Sequence, residues 1–190
     1  MKLPQSFFVR DTRRVARELL GKKLVRVHRS QVLAGWITEV EAYLGVKDRA
    51  CHTFGGRRTA RTDTMYREGG CAYIYLIYGM HHCLNFVTRP EGVPEAVLIR
   101  SIEPCQGIEP MARNRGRSSL SGLKGLTDGP GKLAQALALT RKEDGLSLQS
   151  DELFIEEGFD VRPKQIESGP RIGVEYAGKH ARWPLRFWIS

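Results

Sequence analysis

Cysteine is scarce in this chain. The four residues, Cys51, Cys71, Cys83 and Cys105, are widely spaced and form no Cys-x-x-Cys pair. A disulfide framework is therefore not expected, and reduced thiols fit a cytoplasmic protein. Cys51-His52 and His81-His82-Cys83 carry ligand-type side chains, but their spacing matches no zinc finger or His-Glu-x-x-His pattern, so no metal is expected. Long apolar runs are missing too. The longest, Ala72–Tyr78, is far too short to span a bilayer. No basic start is followed by an apolar segment and a small-residue cleavage site, so no secretory signal is expected. Repeats, linkers and low-complexity stretches are also absent from the sequence, and 190 residues suit one domain over 1–190.

Acidic residues are in deficit. Twenty-one Asp and Glu against thirty Lys and Arg give a formal charge of +9. The sequence pI is near 9.7. That balance favours a polyanionic partner, either nucleic acid or an anionic membrane, although a merely solvated basic surface would give the same count.

The hydrophobic pattern predicts a helix from an Asp11 N-cap through Leu20, stopped by Gly21, with Val15, Ala16 and Leu19 on one side. Lys22–Arg29 and Val32–Tyr43 form a hairpin in outline, turning at Arg29–Gln31. Strict alternation in the second strand sets Ile37, Glu39, Glu41 and Tyr43 on one face, with Trp36, Thr38, Val40 and Ala42 as the core face. Two acids roughly 7 Å apart on such a strand suggest paired carboxylates of different solvation. An edge strand with an acidic solvent face accounts for them as well.

Further strands are expected at Cys71–Tyr78, Leu84–Thr88, Ala96–Ile102, Leu153–Glu156, Arg171–Tyr176 and Leu185–Ile189. Helices are expected at Pro104–Arg115 and from Asp128 through Leu139. The basic, Ser- and Gly-rich stretch Arg113–Gly125 reads as the most mobile segment. Asp128-Gly-Pro-Gly-Lys132 resembles a phosphate loop only superficially, because Leu126 and Leu133 occupy positions where that motif needs Gly and Ser or Thr.

Three groups carry candidate chemistry. Phe54–Tyr66 is a Gly-led loop in which Arg57, Arg58 and Arg61 match phosphate oxygens, or else form a solvated basic turn. In Cys71–Tyr78, Tyr73, Tyr75 and Ile77 share one face, and Tyr73 reads as core. Tyr75 and Tyr78 can present flat rings to a planar ligand, and Tyr78, Met80 and His81 sit around the turn at Gly79. Asn85 and Arg100 are polar residues inside apolar strands. Each needs a partner, and Glu39 or Glu41 is the natural one for Arg100. A carboxylate on a core strand, aromatic faces and arginine loops together suit chemistry on a base extruded from nucleic acid. A non-catalytic nucleic-acid-binding protein uses the same arginines and tyrosines, and a glycoside hydrolase could use Glu39 and Glu41 as its acid and base.

The motifs EVEAYLG, GGRRTARTDTM, YIYLIYGMHHCLN, VLIRSIEP, DGPGKLAQAL and RIGVEYAGKHARWPLRFW resemble, in order, those of the alkyladenine (3-methyladenine) DNA glycosylase family, from Phe7 to Ile189. The resemblance implies a mixed α/β (α+β) single domain around a curved, mainly antiparallel sheet flanked by helices. It implies a cofactor-free, monofunctional hydrolase acting as a monomer on double-stranded DNA with damaged purines, not on membranes. Carried over by motif, Glu41 is the general base and Arg100 its electrostatic partner. Tyr43 and Tyr75 stack on the base, His52 contacts its edge, and Asn85 excludes guanine. Tyr78, beside Met80, enters the duplex. His81-His82 depart from the aromatic residues often found there.

Overall fold

The computed structural model describes residues 1–117 and 123–190. The stretch expected from sequence to be mobile overlaps residues 118–122, which lie outside the described residues. One helical turn, α1 (Gln5–Phe8), precedes α2 (Thr12–Leu19). The Asp11 carboxylate accepts hydrogen bonds from the Arg13 and Arg14 N–H groups, a cap worth about 1 kcal/mol. Val15, Ala16 and Leu19 are buried, and Gly21 turns the chain at φ 79°.

β1 (Lys23–His28) and β2 (Gln31–Tyr43) form the hairpin, with Arg29 and Ser30 in left-handed conformations at its turn. There follow β3 (Ala72–Ile77), β4 (His81–Thr88), β5 (Glu95–Gln106), α3 (Ile108–Asn114), α4 (Pro130–Ala136), β6 (Leu153–Glu156), β7 (Ile166–Gly169) and β8 (Arg186–Ile189). The strands form one antiparallel sheet in the order β3-β4-β5-β2-β1-β6. β8 pairs with both β2 and β7. β2 is the spine: its first half carries β1, its second half carries β8, and β5 runs along its other edge. The result is an α+β domain with a curled half-barrel sheet and flanking helices.

Period-two alternation gives this sheet two buried faces. Ala72 and Ile74 of β3, Leu84 and Phe86 of β4, and Val97 and Ile99 of β5 enter the main core together with α2 and α4. Tyr73, Tyr75, Cys83, Val87, Ala96 and Leu98 point the other way into a smaller cluster. An apolar layer on both faces explains why these strands read as nearly continuous hydrophobic runs.

Strict alternation fails at one place in β2. Ile37 lies opposite Ile102, Glu39 opposite Ser101, and Val40 opposite Ile99, so Thr38 and Arg100 are each extra residues in the ladder. A bulge reverses the face that succeeding residues present. Ile37 consequently packs in the main core with Val40 and Ala42, not beside Glu41 as alternation predicts. Other expectations change as well. Pro104–Gln106 extends β5, and α3 starts only after Gly107, whose φ is 73°. α4 stops at Ala136, two residues before Ala138 adopts a left-handed φ of 52°. Arg171–Tyr176 is not a strand: Gly173 has a φ of 72°, and a 3-10 segment over Glu175–Arg182 follows. β7, which the sequence pattern does not announce, supplies the partner for β8.

At Gly35, β2 and β5 leave no room for a side chain. A Cβ there would lie 2.6 Å from the Glu103 carbonyl oxygen. Gly35→Ala is expected to lower the urea unfolding midpoint by an amount equivalent to about 1–3 kcal/mol, the usual cost of overpacking. An unchanged midpoint would show that the two strands part there without cost.

Candidate active site

Four strands bring Tyr73, Asn85, Leu98 and Glu41 into one transverse row. Tyr73 of β3 lies opposite Asn85 of β4, Asn85 opposite Leu98 of β5, and Leu98 opposite Glu41 of β2. Directly opposed residues on one sheet face are about 5 Å apart, so positions remote in sequence become neighbours. Above this row opens a cavity of about 540 Å³, within the range of small-molecule sites. Tyr43, His52, Tyr75, Asn85, Arg100 and Tyr78 all line it, as do Ile172 and Tyr176 of the segment after β7.

Glu41 lies just beneath the wall and is fully buried. Its Oε2 accepts from the Tyr43 hydroxyl at 2.8 Å, and its Oε1 accepts from the Ile172 N–H at 2.8 Å. Arg100 Nη1 stands 3.3 Å from Oε1. Burial pushes the Glu41 carboxyl above the ordinary range, against the lowering pull of Arg100, the Ile172 N–H, the Tyr43 hydroxyl and Arg171. Burial, and next the Glu41 charge, also drive the Tyr43 phenol well above its usual value, so it remains a donor. Glu39 has a different setting. Its Oε1 accepts from Arg100 Nε at 3.0 Å and Arg186 Nη1 at 3.2 Å, and the residue does not line the cavity. It is a bridge between two guanidiniums, which disfavours the acid and base pair of a glycoside hydrolase.

A second ion pair holds the frame. Arg171 and Asp48 are both side-chain buried, with each guanidinium Nη on one carboxylate oxygen, and Nη2 stands 2.8 Å from Oδ1. Arg171 also donates to the carbonyls of Ala42 at 3.0 Å and His180 at 3.3 Å. Its guanidinium lies 4.7 Å from the centre of the Tyr43 ring. Asp48 in turn accepts from the N–H groups of Leu44 and Ala50. Burial opposes ionisation of Asp48, but Arg171 holds its carboxyl below the usual value. One buried pair thus ties the end of β2 to the segment that supplies Ile172. The sequence singles out neither residue, and Arg171 reads there as part of a strand.

The aromatic wall is equally fixed. His52 Nδ1 is 2.9 Å from the Tyr73 hydroxyl, and its ring meets Tyr75 edge-to-face at 4.6 Å. Burial, assisted by Arg61 and Arg57, pushes the His52 imidazole down to about 4, so it is neutral near pH 7. Tyr73 is thus more than core: its hydroxyl orients His52. The Asn85 amide donates to the Tyr73 and Cys83 carbonyls at 3.1 and 3.4 Å, which anchors it in the wall.

At the β3–β4 tip, Tyr78 is 82% exposed and Met80 69% exposed. Tyr78 has a φ of 53°, a conformation costing about 1–2 kcal/mol for a side chain of its kind, followed by Gly79 at 70°. The three loop arginines diverge in role. Arg61 folds over the Tyr75 ring at 5.3 Å, Arg58 pairs with Asp63 at 2.8 Å, and Arg57 is exposed. Gly55 and Gly56 both have positive φ, with open space where a Cβ would stand. Among the described residues, no three His, Cys, Asp or Glu side chains converge as a metal centre would need, and no helix is long and apolar enough to cross a membrane.

Comparison with known proteins finds a match to the family model described as methylpurine-DNA glycosylase over residues 6–190. A protein of Bdellovibrio bacteriovorus, named "Putative 3-methyladenine DNA glycosylase", is 50% identical over 192 residues, covering 100% of this chain and 95% of its own. A Bacillus cytotoxicus protein with the same name is 47% identical over 197 residues, covering 100% of this chain and 97% of its own.

The buried carboxyl has a measurable consequence. The folded protein holds the Glu41 proton more tightly than the unfolded chain does, so this group's contribution is fully present below the unfolded value and is lost as pH rises through the raised folded value. The melting temperature of Glu41→Gln relative to wild type is therefore expected to increase from acid to neutral pH. A relative change in the opposite direction would mean that Arg100 and Tyr43 outweigh burial.

Proposed function

This chain belongs to the methylpurine-DNA glycosylase family, and on that premise we propose that it is a monofunctional glycosylase that hydrolyses the N-glycosidic bond of alkylated or deaminated purines flipped out of duplex DNA. The product is an abasic site for base excision repair. The observation that carries this reading is the Glu41 carboxylate, buried in a cradle of donors directly behind a cavity walled by aromatic rings.

In the proposed mechanism Glu41 takes a proton from water as the water oxygen attacks the sugar C1′. The glycosidic electron pair leaves with the base. Water reaches Glu41 by displacing one of its three donors. Arg100, at 3.3 Å, is the most distant of them, and it lines the cavity. Arg100 thereby positions the water and remains the carboxylate's electrostatic partner. Tyr43 and Tyr75 offer ring faces to a planar base, and a purine made cationic by alkylation is attracted to them. A neutral His52 contacts the base edge without adding a repelling charge. Asn85, anchored by two carbonyls, excludes the exocyclic amine of guanine.

Tyr78 and Met80 supply the wedge that fills the space the base has left, a role for which their exposure at a hairpin tip is suited. Arg57, Arg58 and Arg61 contact backbone phosphates, and the formal +9 charge draws the protein to DNA. No lysine is among the described residues lining the cavity, which argues against a Schiff-base lyase step. Hydrolysis needs only water, and in this reading the enzyme acts as a cofactor-free monomer.

The test is single-turnover excision from a duplex bearing one methylated adenine, hypoxanthine or ethenoadenine. Wild type is expected to generate alkali-labile sites, and Glu41→Gln to lose at least about a hundredfold in rate while still binding DNA. Tight binding by wild type without excision of any of these bases would instead favour a binding protein that performs no chemistry.

A further inference from the structure

A second cavity, of about 560 Å³, shares a wall with the first. Ile77, Tyr78 and Pro130 line the first; Met80, His81, His82 and Gly131 line the second, so the hairpin tip and the start of α4 border both. His28 and Arg29, at the β1–β2 turn, and Lys142, in the 3-10 turn Arg141–Glu143, contribute the remaining basic groups. Separate parts of the chain thus deliver three imidazoles, a guanidinium and an ammonium to one concavity.

These basic groups are uncommitted. Among the described residues, the side chains of His28, Arg29, His81, His82 and Lys142 make no hydrogen bond or ion pair within the protein. Among the described residues lining the cavity, Glu143 is the one acid, and it is engaged: Oε1 accepts from Arg26 Nη2 at 2.9 Å, and Oε2 accepts from the Thr140 N–H at 2.8 Å. A cationic concavity whose one carboxylate is already neutralised is suited to an anion.

We propose that this cavity holds a backbone phosphodiester of the DNA strand opposite the lesion. The inference rests on the glycosylase reading and its Tyr78 wedge. A wedge driven between paired strands has one strand on either side. The lesion strand delivers its base to the first cavity, so the strand paired with it runs past the other wall of the hairpin, where Met80 leads to His81 and His82. Arg29 and Lys142 supply charge, and the imidazoles supply N–H donors around the phosphate. In this arrangement His81-His82 provide polar groups for the backbone at positions where the sequence resemblance leads one to expect aromatic rings.

The test places a neutral methylphosphonate at successive positions of either strand of a lesion-bearing duplex. Binding by wild type and by the double variant Arg29→Gln/Lys142→Gln is then compared. At one position opposite the lesion, neutralisation is expected to weaken wild type by about tenfold and the variant by less than about twofold, while the variant's salt slope falls by about one for each phosphate it no longer neutralises. Arg29→Lys/Lys142→Arg should recover the wild-type response. Coupling confined to the lesion strand, coupling at no position, or failure of the charge-restoring variant to recover would overturn the proposal. Because the readout is binding, a wild type that binds the duplex but excises nothing would refute the catalytic reading while leaving this result interpretable.

Discussion

The structure depends on keeping one carboxylate out of water without leaving it alone. Burying an ionised carboxylate is costly, and the cost is tolerable only when donors surround it. Glu41 has three: a phenol, a backbone N–H and a guanidinium. Each is itself held. Tyr43 lies under the Arg171 guanidinium, Ile172 follows Arg171 in sequence, and Arg100 is braced by Glu39, which also binds Arg186 of β8. The buried Arg171 and Asp48 pair is the keystone of that arrangement, since it joins β2, the turn after it and the segment beyond β7. Burial still prevails in the balance, so the carboxyl holds its proton more tightly than an ordinary glutamate does.

Rigidity and exposure are divided between the two ends of β3. Tyr73 and Tyr75 are buried, and together they fix the ring of His52. A few residues on, the chain turns through two successive left-handed residues and leaves Tyr78 and Met80 in solvent. A hairpin firmly paired at its base and strained at its tip can project a large apolar side chain that a lone loop would not hold in place. In the proposed complex the basic cavity beside this tip lies where the wedge meets the duplex, and the hairpin divides two environments.

Much of this is legible in the sequence because the demands are local. A cation inside VLIRSIEP needs a carboxylate, and Arg100 meets both candidates, Glu39 and Glu41. Alternation in CAYIYLIY separates Tyr73 and Tyr75 from Ala72 and Ile74, as the two clusters require. What is hidden arises from pairing between distant segments. No residue type announces the extra positions Thr38 and Arg100, so alternation carried through the bulge puts Ile37 on the wrong face. The apolar residues of RIGVEY suggest a strand, yet Arg171 is committed to Asp48, a partner 123 residues away. Arg58 reads in the loop as an unpaired cation, and its exposed pairing with Asp63 is not announced there.

In the proposed mechanism Glu41, with its proton affinity raised by burial, is the base. Its most direct test is the pH dependence of single-turnover excision of an alkylated purine, whose departure needs no acid. The account predicts an acid limb governed by one ionisation above the ordinary glutamate value of 4.5, moving to still higher pH in Tyr43→Phe, where a donor to the carboxylate is removed. A rate independent of pH across that range, or a limb unmoved by loss of the Tyr43 hydroxyl, would contradict it.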